Sequence, residues 1–187
     1  NPTYSCGFGS AFILSGGIFG GSASTLILGD NIFFGDGLSK ILHAASSRTT
    51  GATVFTYHVK NPENYGVINF NKDGSIKSIT EKPKFPKSNY AVTGLYFADE
   101  TAPTRAKKIK PSQRGELEIT SLLKTYLSDN LLKVEMFGRG YAWLDTGTHS
   151  SMLEAGNFVR TLTQRQGLQI GSPDEIAYQL NWIDKKT

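Results

Sequence analysis

Two aspartates in this chain each follow an apolar extended run. Asp30 belongs to residues 28–31 (Leu-Gly-Asp-Asn), and Asp145 belongs to residues 143–147 (Trp-Leu-Asp-Thr-Gly). Parallel-sheet enzymes usually build their active edge where strands end, and two carboxylates that converge there can hold a divalent cation against phosphate oxygens. Either aspartate alone is equally consistent with a turn or a helix cap. Together they predict a metal site formed by Asp30 and Asp145.

Between these acidic motifs lie residues suited to a phosphorylated sugar. Glu81 can bind sugar hydroxyls, and the neighbouring Lys82 can meet a phosphate as a point charge. The alternative for this pair is an exposed salt bridge at a sheet edge. Arg114 can grip a phosphate with two N–H groups, whereas Glu116 and Glu118 are predicted to favour the N-terminal end of a helix. Acidic ligands combined with phosphate-binding cations indicate phosphoryl or nucleotidyl transfer.

Composition sets the class of protein. The chain has 187 residues, 39% of them hydrophobic, and a formal charge of +4. This length and hydrophobic content are enough for one globular domain spanning residues 1–187. The sequence lacks the basic face with interleaved aromatics that would indicate nucleic-acid binding. It also has no apolar run as long as a membrane span. Cys6 is the single cysteine, so a reducing, cytoplasmic setting is expected.

The elements that must position these residues alternate in type. A strand at 25–28, a helix at 37–47 and a strand at 52–59 predict a βαβ unit and a parallel sheet. Residues 65–81 predict a hairpin that turns at Asp73-Gly74. Further strands are predicted at 90–97, 132–137 and 142–144, and helices at 10–14, 104–109, 118–128, 148–164 and 173–179.

Six motifs follow one another in a specific order: residues 26–31 (LILGDN), 65–67 (YGV), 81–83 (EKP), 88–96 (SNYAVTGLY), 114–120 (RGELEIT) and 138–148 (GRGYAWLDTGT). This ordered set closely resembles the glucose-1-phosphate thymidylyltransferase family of sugar nucleotidyltransferases. The resemblance implies an α/β, Rossmann-like nucleotidyltransferase fold with a mixed, mostly parallel sheet flanked by helices, incomplete at the N-terminus.

The same resemblance implies roles for individual residues. Mg²⁺ would be bound through Asp30 and Asp145, and these two residues with Lys82 and Arg114 form the implied catalytic set. Contacts to the sugar or sugar phosphate are implied for Gly66, Glu81, Lys82, Val92, Tyr96 and Arg114. A contact near the nucleobase is implied for Gly7. The implied partners are dTTP and glucose-1-phosphate, which react to give dTDP-glucose and pyrophosphate on the route to dTDP-rhamnose. The resemblance also implies that the enzyme is a homotetramer.

The glycine-rich triphosphate loop of this family, Gly-Gly-x-Gly-Thr-Arg, and the lysine that follows it do not occur in the sequence. We therefore expect the chain to be the sugar-phosphate- and metal-binding portion of a longer enzyme. The alternative from another class is a noncatalytic sugar-phosphate-binding or regulatory module that has lost the loop.

Overall fold

The computed structural model describes residues 7, 9–18, 22–167 and 169–184. One domain spanning residues 1–187 stays a prediction; the contacts group the chain into two compact units. The first, called the sheet unit, comprises Asn1–Leu28 and Gly37–Gly140. The second, called the ribbon unit, comprises Gly29–Asp36 and Tyr141–Thr187.

The sheet unit holds six strands and four α-helices within its described residues. The strands are β1 (Ser24–Ile27), β3 (Ala52–His58), β4 (Gly66–Phe70), β5 (Ile76–Glu81), β6 (Tyr90–Ala98) and β7 (Leu132–Phe137); the helices are α1 (Gly9–Ile18), α2 (Leu38–Ser46), α3 (Ala102–Ala106) and α4 (Ile119–Ser128), with a 3-10 turn at Pro62–Asn64. The predicted elements of this unit are therefore present, with shifts of a few residues at their ends.

The sheet is mixed, in the order β5-β4-β6-β3-β7, with β1 also paired to β6. Only β3 and β7 pair in parallel among the described strands, and the other pairings are antiparallel. The α/β class with flanking helices is confirmed, but this part of the sheet is not mostly parallel. β1 and β3 do run in the same direction, yet β6 lies between them, since Ala98 pairs with Ser24 on one side and with Ala52 on the other.

The core of the sheet unit combines apolar packing with one buried carboxylate. Val54, Ile68 and Leu122 are at most 1% exposed, as is Tyr126. The Tyr126 hydroxyl donates to Asp99 Oδ1 at 2.9 Å, and the Gly51 N–H donates to Asp99 Oδ2 at 2.7 Å. These bonds join the end of β6 to α4 and to the start of β3, so Asp99 is satisfied where an unpaired carboxylate would be costly.

The β4–β5 hairpin forms as the sequence predicts. Asp73 Oδ1 accepts from the Ser75 N–H at 2.9 Å, and Gly74 takes a φ of 83°, which a residue with a Cβ adopts poorly. The register of the hairpin sets Gly66 opposite Glu81. A local turn thus fixes which residue faces the candidate sugar-binding carboxylate.

The ribbon unit is an antiparallel pair, β2 (Asn31–Gly35) and β8 (Tyr141–Asp145), followed by α5 (His149–Gln166) and α6 (Pro173–Gln179). Helix α5 packs on the ribbon through Ala155, which is 2% exposed, and through an edge contact of Phe158 with Phe34 at 5.7 Å between ring centroids. Strand β2 was not predicted, because its three central apolar residues between glycines are too short a run to separate a strand from a loop.

Candidate functional site

Asp30 and Asp145 are brought together by the β2–β8 ribbon. Strand β2 begins directly after Asp30, β8 ends at Asp145, and Asn31 pairs with Asp145. The Thr146 N–H and hydroxyl both donate to the Asp30 carbonyl oxygen, at 2.8 and 3.0 Å. From the sequence, the two aspartates are predicted to meet at the carboxyl edge of a parallel sheet. The parallel edge is wrong, because antiparallel pairing produces the convergence.

Gly147 shows that the two side chains, and not only their backbones, converge. A Cβ placed on Gly147 would lie 2.9 Å from Asp145 Oδ1 and 3.7 Å from Asp30 Oδ2. Both carboxylates therefore border one small volume that the missing side chain of Gly147 leaves open. The Gly147 N–H donates to Asp145 Oδ1 at 2.7 Å and holds that carboxylate at the edge of this volume.

Helix capping does not account for Asp145. Thr148 is the N-cap of α5: its hydroxyl accepts from the Ser151 N–H at 3.1 Å, and the Ser151 hydroxyl in turn accepts from the Thr148 N–H at 3.0 Å. This capping box satisfies the start of the helix without a carboxylate. Asp145 thus keeps its side chain beside Asp30. Among the described residues no ion pair joins either carboxylate to a lysine or arginine, and two such acidic oxygens suit a cation.

The donor set fits Mg²⁺ shared with substrate better than a cation caged by protein. Mg²⁺ commonly takes one or two carboxylates and completes its octahedron with water and phosphate oxygens. Within the described part of the chain, no group of three or more His, Cys, Asp or Glu side chains could hold a metal. Asp30 and Asp145 would supply two oxygens, and a phosphorylated ligand would supply others.

The second candidate cluster lies in the sheet unit around Glu81, the last residue of β5. Thr120, at the start of α4, donates its hydroxyl to Glu81 Oε2 at 3.0 Å. A Cβ on Gly66 would lie 2.7 Å from Thr120 Cγ2, 3.4 Å from Glu81 Oε2 and 3.7 Å from Val92 Cβ. Three of the predicted substrate-binding residues, Gly66, Glu81 and Val92, therefore meet at one place.

The charge state of Glu81 reflects this setting. Burial raises the pKa of Glu81, and the negative charge of Glu118 raises it further; the Thr120 hydroxyl, Lys82 and Arg114 oppose the rise without cancelling it. Glu81 is therefore protonated more readily than an exposed glutamate, and its half-buried carboxyl group is held in place by the Thr120 hydroxyl.

Lys82 has an uncommon backbone. Its φ of 36° is in the left-handed region, where residues other than glycine, asparagine and aspartate are rare, and its N–H donates to the Tyr65 carbonyl at 3.0 Å. Strain of this kind persists only where the surrounding structure enforces it, and it is concentrated at functional positions. The backbone turns at Lys82, immediately after the half-buried Glu81.

Arg114 lies near acidic neighbours of its own loop. Its guanidinium is 3.4 Å from Glu116 Oε2 and 3.7 Å from Glu118 Oε1, and its side chain is half-exposed. Glu118 also accepts from the Ser112 hydroxyl at 2.8 Å and makes no side-chain cap at the start of α4. Glu118 does lie at the N-terminal end of α4, as the sequence predicts, but its carboxylate contacts Ser112 and Arg114 in the preceding loop and does not cap the helix.

The predicted positions Gly7, Val92 and Tyr96 differ in their surroundings. Gly7 is buried against the backbone of Leu117, whose oxygen would be 2.6 Å from an added Cβ. Val92 is 6% exposed beside Gly66. Tyr96, 5% exposed, belongs to the core of the sheet unit, which is the commoner role for such an aromatic.

Thr120 and Asn31 also belong to these clusters, although the sequence did not predict them as site residues. Thr120 is the last residue of the 114–120 motif and supports Glu81; Asn31 follows Asp30 and donates its amide to Asp30 Oδ1 at 2.7 Å. Both residues lie in motifs that also contain a carboxylate, and this was the signal that could have marked them. Which carboxylate each side chain binds depends on tertiary contacts.

In the described residues, no helix is both long and apolar enough to cross a bilayer.

The fold agrees with the comparisons to known proteins. Residues 2–161 match the family model described as nucleotidyl transferase, and the chain belongs to that family. A glucose-1-phosphate thymidylyltransferase of Xanthomonas campestris pv. campestris is 53% identical over 178 residues, covering 95% of this chain and 60% of the relative. One from Neisseria meningitidis is 50% identical over 177 residues, covering 95% and 62%. The resemblance found in the sequence motifs is thus confirmed.

Solved structures show the same fold. A Bacillus anthracis protein assigned as a glucose-1-phosphate thymidylyltransferase, in complex with a sucrose, gives a TM-score of 0.74 at 38% identity over 83% of this chain and 62% of that chain. A UDP-glucose pyrophosphorylase complexed with UDP-glucose gives a TM-score of 0.73 at 23% identity, which supports the fold alone. The chain spans about 60% of the length of the curated relatives it matches.

Proposed function

We propose that these residues belong to an enzyme that transfers a deoxythymidylyl group from dTTP to glucose-1-phosphate, giving dTDP-glucose and pyrophosphate. The observation that carries the proposal is the convergence of Asp30 and Asp145 on the volume left open by Gly147. Relatives named glucose-1-phosphate thymidylyltransferase at about half identity support the choice of substrates. A homotetramer in the cytoplasm, acting toward dTDP-rhamnose, completes the proposal.

The sheet unit would bind the sugar phosphate. Glu81, held by the Thr120 hydroxyl, accepts hydrogen bonds from sugar hydroxyls, and Gly66 leaves room for the ring beside Val92. Lys82 and Arg114 meet the phosphate. In-line attack of the sugar phosphate on the α-phosphorus needs positioning and charge neutralisation and no covalent intermediate on the protein. Gly7 and Tyr96 are retained as proposed ligand contacts near the base and the sugar.

The ribbon unit would hold the cation. Asp30 and Asp145 are the ligands that the geometry favours, and Mg²⁺ bound there would neutralise phosphate charge as it develops. Their carboxylates are fixed before ligand arrives, because Asn31 holds the first and the Gly147 N–H holds the second. Such preorganisation removes part of the reorganisation cost from the reaction.

Pyrophosphate release by the protein that carries this sequence tests the metal assignment. Asp30→Asn and Asp145→Asn should each lower turnover about 100-fold or more, since each removes one charge from the site. Asp36→Asn is the matched control, because Asp36 is an exposed aspartate just beyond the other end of β2. Turnover in both site variants equal to that of Asp36→Asn would reject the assignment.

Calorimetry separates the enzyme from a noncatalytic module. An enzyme should bind both glucose-1-phosphate and dTTP, with Glu81→Gln weakening the former. Binding of glucose-1-phosphate without dTTP in the protein that carries this sequence would favour the module.

A further inference from the structure

We propose that Trp143 is a positioning residue for the Asp30 carboxylate and acts through the side-chain amide of Asn31. The inference deepens the proposed cation site and rests on it. All three residues belong to the ribbon unit.

The register of the ribbon places the three side chains in sequence. Asn31 is opposite Asp145 and Phe33 is opposite Trp143, so Asn31 and Trp143 are diagonal neighbours on one face of the pair. The Trp143 indole N–H donates to Asn31 Oδ1 at 2.6 Å. Asn31 Nδ2 then donates to Asp30 Oδ1 at 2.7 Å.

The Trp143 indole and the Asp30 carboxylate together fix the orientation of the Asn31 amide between them. An indole N–H can only donate, and an ionised carboxylate can only accept. The amide oxygen of Asn31 must therefore face Trp143 and its NH₂ must face Asp30. In an ordinary asparagine these two orientations are hard to distinguish, but here only one of them leaves both neighbours satisfied.

Loss of the indole N–H would release this constraint. An Asn31 amide turned by 180° would point its oxygen at Asp30 and repel the carboxylate. With the constraint in place, Asp30 Oδ1 is occupied by an uncharged donor, and Oδ2 is the oxygen that borders the Gly147 volume beside Asp145. Trp143 thus selects the oxygen of Asp30 that is offered to a cation, without adding a competing positive charge.

Mn²⁺ binding to this chain, followed by electron paramagnetic resonance of the free ion, tests the inference without relying on turnover. Trp143→Phe should weaken Mn²⁺ binding about 10-fold, the usual cost of removing a residue that orients a metal ligand. Trp182→Phe is the matched control: it makes the same substitution in the ribbon unit at an indole that is 74% exposed. Asp30→Asn establishes that the signal reports this site.

A nuclear magnetic resonance titration with Mg²⁺ supplies a readout that a merely structural role would not move. The indole N–H resonance of Trp143 should shift as the ion binds, because its charge polarises the hydrogen-bonded chain through Asp30 and Asn31. The Trp182 resonance should stay in place. Assignment follows from the two tryptophan variants.

Asn31→Ala provides a second route if Trp143→Phe does not fold. Asn31→Ala should show the same loss of Mn²⁺ affinity, and the double variant should lose no more than Asn31→Ala alone, since Trp143 acts only through that amide. Binding by Trp143→Phe within twofold of the unaltered chain, or a stationary Trp143 resonance, would overturn the inference and leave the cation site standing. No Mn²⁺ binding by the unaltered chain would overturn both.

Discussion

Replacing Gly147 with alanine should disturb the candidate cation site while leaving the fold in place. The new Cβ would be 2.9 Å from Asp145 Oδ1, closer than a carbon and an oxygen tolerate, and 3.7 Å from Asp30 Oδ2. Asp145 must then swing aside, which weakens its 2.7 Å hydrogen bond from the Gly147 N–H. Because the carboxylate is the mobile end of a side chain, the adjustment costs little backbone strain.

The magnitudes separate the two effects. The bond at stake is solvent-exposed, so we expect the free energy of unfolding to fall by about 1 kcal/mol or less, the lower range for a hydrogen bond. Mn²⁺ affinity should fall about 10-fold, because a metal ligand loses its orientation and the open volume is filled. Mn²⁺ titration and urea unfolding on the same preparation measure the two quantities.

Gly156→Ala is the control for this substitution. Gly156 lies within α5 of the ribbon unit, and a Cβ there meets nothing within 4 Å. The change should leave Mn²⁺ binding unaltered and stabilise the helix by roughly 0.5–1 kcal/mol. The reasoning is refuted if Gly147→Ala binds Mn²⁺ as tightly as Gly156→Ala does.

Three further outcomes are expected. The raised pKa of Glu81 means that its contribution to stability is present at low pH and is lost as pH rises through the folded pKa. At pH 8, Glu81→Gln should therefore unfold at a higher temperature than the unaltered chain and bind glucose-1-phosphate more weakly. An unchanged melting temperature would contradict this. Thr120→Val removes the hydroxyl that lowers the pKa of Glu81. Calorimetry should show that this variant binds glucose-1-phosphate about 10-fold more weakly, equivalent to about 1.4 kcal/mol. An affinity equal to that of the unaltered chain would show that Glu81 needs no support from Thr120. Burial raises the pKa of Asp99, but hydrogen bonds from Thr101, Gly51 and Tyr126 lower it overall. The contribution of Asp99 to stability is therefore present above the usual aspartate pKa and is lost as pH falls through the folded pKa. Tyr126→Phe should cost about 1.5–3 kcal/mol in urea unfolding at pH 7, as for a hydrogen bond to a charged group, and should move acid unfolding to higher pH; acid unfolding at an unchanged pH would refute the role of this bond.

Motif residues and periodicity made much of this protein predictable from its sequence. The α2 periodicity, the Asp73-Gly74 turn and the apolar runs before Asp30 and Asp145 are local signals, and the structure contains the elements they predict. The ordered motifs indicated the family before any contact was known. Residue types alone also marked Glu81, which is half-buried beside Gly66 and Val92.

Pairing between distant segments required the tertiary structure. The β2 run is too short to read as a strand until β8 pairs with it, and β6 enters between β1 and β3 from far along the chain. The meeting of Asp30 with Asp145, the support of Glu81 by Thr120 and the hydrogen bond from Trp143 to Asn31 all follow from such pairings. Their physical reason is register: strand pairing and helix packing fix which side chains share a face, and no local propensity encodes that choice.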